Sequence, residues 1–172
     1  MQLVKRVELN EKELSAINVL TPSQKPLIMA LIDFKLLGLT KEEMTNKIYE
    51  ILKVSEIDSG LTKIDNKDLV ALSFSVQELI YDKYKNLTIT EFKCACKSGV
   101  IGNYGEWFGM CLKTINQWLK GYLNNEHRIN AIKEWNAKIE KEETSDKPLH
   151  LKFELSKESA IKAFKNYKLT GA

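Results

Sequence analysis

Long apolar runs, a closed set of cysteines and clustered histidines are what this sequence of 172 residues lacks. Its longest apolar stretch, Pro26 to Leu39, is broken by Asp33, Lys35 and Gly38, well short of the roughly 20 apolar residues that cross a bilayer. A membrane-spanning role is therefore excluded and no membrane partner is expected. Met1 to Glu8 mixes Lys5, Arg6 and Glu8 with isolated apolar residues, which is not the basic start, apolar run and small-residue cleavage site of an export signal. The chain is expected to stay inside the cell. Three cysteines, Cys94, Cys96 and Cys111, are an odd set that builds no disulfide framework, and free thiols suit a reducing compartment. The cytoplasm is the expected location.

Enzymatic and metal chemistry find little to work with. The histidines number two, His127 and His150, and neither has a nucleophile beside it in the sequence. Cys94 and Cys96 lie two residues apart on an expected helix, so their side chains diverge and cannot meet on one zinc ion with Cys111 and His127. The glycines of Gly102 to Gly109 are not followed by Gly-Lys-Ser or Gly-Lys-Thr, which removes the phosphate-cradling loop of nucleotide hydrolases. Glu134, Glu140, Glu142 and Glu143 alternate with lysines, the pattern of a solvated helix face rather than a metal cluster. No catalytic residue, no metal site and no cofactor is expected.

What the sequence does contain is enough apolar residue, 44%, to build a core, and helical periodicity along most of its length. Thr21, Ser23, Pro22 and Pro26 precede Leu27, Ile28, Leu31, Ile32, Phe34 and Leu36, which predicts a helix over Ser23–Leu37. Thr40 and Glu43 have the spacing of a capping box before Met44, Ile48, Ile51 and Leu52. Asp58-Ser59-Gly60 breaks that pattern, and Asp65 or Asn66 leads into Leu69, Leu72, Phe74, Val76, Leu79, Ile80 and Tyr84, a strongly apolar helix. Thr88 or Thr90 caps a short helix that ends at Gly99, and Gly102 to Gly109 form a turn with Tyr104, Trp107 and Phe108 as aromatic anchors. A helix over 110–124 and a polar helix over 126–143 follow. The fold class is mainly α, a helical bundle with a helix-turn-helix-like C-terminal half and short β segments at 2–9 and 149–155. Three regions are expected: 1–82, 83–143, and a linker and basic tail at 144–172, with 1–143 as one compact unit.

Charge is uneven. Residues 1–82 carry 10 basic and 13 acidic side chains, whereas 83–172 carry 16 and 10, so a polyanion would prefer the second half. There the helix over 110–124 combines an apolar stripe, Leu112, Ile115, Trp118, Leu119 and Tyr122, with Lys113, Thr114, Asn116, Gln117 and Lys120 on its polar side. A recognition helix needs both, rigidity from one face and amide, hydroxyl and basic groups on the other. Lys113, Thr114, Asn116, Gln117, Lys120 and Arg128 are the candidate DNA contacts. The same pattern also describes a helix pair with a solvated face. Trp135, on a helix polar on most sides, is a candidate partner-facing indole. The tail, with Lys162, Phe164, Lys165 and Tyr167, is a candidate docking segment.

The run Tyr84-x-x-Leu87-Thr88-Ile89-x-Glu91-Phe92, with Ala95 and Gly99, then Gly102-x-Tyr104-Gly105-Glu106 and Thr114-Ile115-x-x-Trp118-Leu119-x-x-Tyr122, resembles small uncharacterised proteins of Bacteroidetes-type gut bacteria and their phages. It covers about residues 80–128. The resemblance implies a role associated with the replication of phage or mobile-element DNA and defines no functional residues. The expected function is a non-enzymatic DNA-associated accessory protein of such replication. The alternative is a protein-interaction module, a virion component or host-directed phage factor that touches no nucleic acid. DNA, or a replication or virion protein, is the expected partner, and an open apolar face on the N-terminal helices would add a homo-oligomer.

Overall fold

A computed structural model describes residues 11–60 and 63–145. Among the described residues there are seven α-helices and no strand: α1 (Glu11–Asn18), α2 (Lys25–Leu31), α3 (Lys41–Ser59), α4 (Asn66–Lys83), α5 (Ile89–Val100), α6 (Leu112–Leu123) and α7 (Glu126–Ser145). The short strands expected at 2–9 and 149–155 lie outside the described residues.

Local chemistry accounts for most of the helix starts. The Thr40 side chain accepts from the Glu43 N–H while the Glu43 carboxylate accepts from the Thr40 N–H, closing a capping box at the head of α3. Thr88 and Glu91 repeat the device at the head of α5, and Asp65 caps α4. Gly60 ends α3 at φ 64°, a left-handed conformation that a residue without Cβ adopts at least cost.

The helix expected over Ser23–Leu37 is shorter than its periodicity suggests, because long-range pairing takes over after Leu31. Phe34 to Leu36 run extended beside Leu87 to Ile89: the Leu36 N–H donates to the Leu87 carbonyl at 3.0 Å and the Ile89 N–H to the Phe34 carbonyl at 3.0 Å. Thr88 Oγ1 also donates to the Ala30 carbonyl. Backbone groups satisfied across the chain have no need of a continuing helix. Helix α1 was not legible in the sequence.

The chain divides after Trp135 into two compact units. In the first, α3 packs on α4 and α5, α5 on α2 and α6, α4 on α6, and α1 on α2. Met44, Ile48 and Leu52 of α3, Leu69, Val76 and Ile80 of α4, Phe92 and Ala95 of α5, and Ile115, Trp118 and Leu119 of α6 share one buried cluster. The core is continuous across residue 83. The division at Trp135, ahead of the charged linker where the sequence suggests it, follows the last buried side chains of α7, Ala131 and Trp135. Of the second unit, the described part is the end of α7, where Lys138, Glu140 and Lys141 surround Ile139.

Candidate binding surface at the α5–α6 corner

Helices α5 and α6 approach so closely that only glycine fits between them: a Cβ built on Gly99 would stand 2.2 Å from Cγ and Cδ2 of Trp118, far inside the 3.5–4.0 Å or so of normal carbon contact. The chain leaves α5 through Gly102 and Gly105, whose φ angles of 85° and 98° suit glycine. It then crosses back over α6 as Ile101–Cys111. The two helices of the expected helix-turn-helix outline are therefore present and packed together, but their connection is much longer than the three to four residues or so of a compact helix-turn-helix turn.

Side chains of α6 hold this connection down along its length. Gln117 Nε2 donates to the Tyr104 carbonyl at 2.7 Å, and Thr114 Oγ1 to the Gly109 carbonyl at 2.8 Å. Tyr104 lies on Gly121, where a Cβ would come within 2.5 Å of its ring. Trp107 meets Trp118 edge to face, with centroids 4.9 Å apart and planes at 89°, a favoured aromatic geometry. Outward from this pinned loop stand Phe108, 91% exposed, Ile101, 70% exposed, and Leu112 at the head of α6, 38% exposed. Val100, Ile101, Trp107 and Phe108 line a concavity of about 550 Å³ beside them. The aromatic anchors expected of the turn thus divide: Tyr104 and Trp107 face α6, whereas Phe108 faces out.

The six candidate DNA contacts do not form one surface. Lys113 and Lys120 are exposed on α6, with Asn124 on the same side. Asn116 Oδ1 accepts from the Tyr84 hydroxyl at 2.6 Å, and Gln117 and Thr114 hold the loop. Thr114, expected to face solvent, is buried, because its hydroxyl is drawn in to the Gly109 carbonyl. Arg128, expected as a phosphate contact, is a correction as well. Its Nε and Nη2 donate to Glu91 Oε1 at 3.0 and 2.5 Å, its guanidinium sits 5.5 Å above the Tyr122 ring, and its side chain is 12% exposed beside a Glu91 that is 1% exposed. A buried carboxylate at a helix start requires such a partner, and the sequence shows no link between positions 91 and 128.

Trp135 is the third correction. It was expected to face a partner, but it is 9% exposed, since α7 is apolar along one edge at Ala131 and Trp135. The neighbouring Glu134 accepts from Gln24 Nε2 at 2.7 Å, so this stretch of α7 runs beside the start of α2. Lys162, Phe164, Lys165 and Tyr167 lie outside the described residues.

The cysteines separate by environment. Burial pushes the Cys96 thiol up to about 12 and raises that of half-buried Cys94. Exposed Cys111 is lowered, chiefly by the Thr114 hydroxyl 3.3 Å from its sulfur. Among the described residues no three His, Cys, Asp or Glu side chains converge as metal ligands, and no helix is long and apolar enough to cross a membrane. No protein-family model, curated protein or solved structure matches the chain.

Proposed function

We propose that the chain is a non-enzymatic accessory protein that works by gripping another protein at the α5–α6 corner, in the cytoplasm of the bacterial host. One observation carries this reading: a loop fastened at Tyr104, Trp107 and Gly109 holds Phe108 almost fully in solvent. Leaving a phenylalanine exposed forgoes roughly 1.5–3 kcal/mol of burial, and a rigid loop loses little further entropy on docking. Aromatic anchors of this kind dominate protein interfaces. The resemblance over residues 80–128 spans this corner, and it supports a partner in the replication apparatus or virion of a phage or mobile element.

A second reading, DNA contact, rests on Lys113 and Lys120, which share an exposed side of α6. It has lost Thr114 and Arg128 to structural roles, so its footprint is two lysines, few for the phosphate contacts that drive such binding.

The test replaces Phe108 with a photo-cross-linking amino acid in cells that carry the parent element, with exposed Glu78 of α4 as the control position. A defined protein adduct at position 108 and none at 78 supports the corner. The parallel measurement is fluorescence anisotropy on labelled single- and double-stranded DNA at 50 and 200 mM salt. No adduct, together with salt-sensitive DNA binding that Lys113→Glu/Lys120→Glu abolishes, replaces the protein reading with the nucleic-acid one.

A further inference from the structure

On the opposite side of α5 from α6, a groove of about 220 Å³ runs between α3 and α5, with Ile51 and Ser55 along its floor and Val54 at its α3 edge. Its walls carry opposite charge: Glu50 and Asp58 stand on α3, Lys93 and Lys97 on α5. Asp58, Lys93 and Lys97 have no opposite charge within salt-bridge distance among the described residues, and Glu50 meets only Lys47, 2.7 Å away and exposed like itself. Beside the groove, Val54 and Ile57 are 53% and 70% exposed. Their three-residue spacing puts both on the helix side that carries Glu50 and Asp58.

From this arrangement we infer that the α3–α5 groove is a self-association surface, occupied by the same groove of a second copy of this chain. The argument is one of charge. A single acidic or basic ligand would meet one favourable wall and one repulsive wall. A two-fold axis running along the groove instead places α3 of one copy over α5 of the other, so each acidic wall faces a basic wall, twice over. Such a contact is self-complementary, as an interface between two identical subunits must be. The ridge of Val54 and Ile57 then lies along the aliphatic stems of the other copy's Lys93 and Lys97, which cover apolar surface while their ammonium groups reach for carboxylates. This surface is separate from Phe108 and does not depend on the function proposed for the α5–α6 corner.

Sedimentation equilibrium on the full chain tests the inference. The wild type is expected to approach twice the monomer mass of 19.8 kDa as concentration rises, and to dissociate more readily at high salt. Lys93→Glu/Lys97→Glu makes both walls acidic and Glu50→Lys/Asp58→Lys makes both basic, so each variant alone is expected to stay monomeric. Mixed one to one they should pair, because each wall of one then faces its opposite on the other. All four side chains are exposed, and circular dichroism checks that both variants fold. Phe108→Ser should leave the association unchanged. A wild type that remains monomeric, variants that associate on their own, or a mixture that fails to pair would each overturn it.

Discussion

Replacing Gly99 by alanine is the sharpest test of how the α5–α6 corner is built, because two effects of opposite sign meet at one atom. Helix propensity alone favours alanine over glycine in a helix by about 1 kcal/mol. Against that gain, the new methyl lands 2.2 Å from two atoms of the Trp118 ring and 2.5 Å from a third. The ring cannot swing away, since it is fully buried and packs against Trp107 in a T-shaped contact. Overpacking of this kind costs typically 1–3 kcal/mol or so, and a held ring puts this site near the upper end. A net loss of roughly 2 kcal/mol follows, which for a chain of this size lowers Tm by about 4–8 °C. Differential scanning calorimetry, with urea unfolding alongside, reads the difference. Gly109→Ala is the control: nothing lies within 4 Å of its added Cβ, so its change should stay within about 0.5 kcal/mol. A Gly99→Ala variant as stable as the wild type, or more stable, would show that propensity prevails and that the helices do not meet this closely. Because Trp118 also seats Trp107, the same variant should lose the cross-link at position 108.

Two further outcomes follow from buried groups. Arg128→Met strips the ion pair from a Glu91 carboxylate that is 1% exposed, which should cost about 3–5 kcal/mol in urea unfolding, and Glu91→Gln/Arg128→Met should recover much of it; a single-variant loss below about 1 kcal/mol, the range of surface pairs, would contradict the burial. Cys96, with its thiol raised from 9.0 to about 12 in the folded chain, holds its proton in the native state over a pH range where the unfolded chain gives it up. Its contribution is therefore whole below pH 9 and is lost as pH climbs toward 12, so Cys96→Ala should flatten the alkaline fall in stability measured by urea titration, and an unchanged slope would count against it.

Features that depend on neighbours a few residues away could be read from the residues themselves. The capping boxes at Thr40 and Thr88, the Asp65 cap and the glycine stop at Gly60 each involve groups within three or four positions, and the apolar stripes of α3 to α6 repeat at the helical period. Tertiary structure decided what depends on distant partners. Pairing with Leu87 to Ile89 cut short the helix that starts near Pro26. Glu91 claimed Arg128 across 37 residues, and Trp135 was buried on a helix that reads as polar. Whether Tyr104, Trp107 or Phe108 would face out was equally unreadable, because all three are aromatic residues in one glycine-rich turn. Gly121 and Trp118, on the following helix, receive the first two, and Phe108 is left 91% exposed.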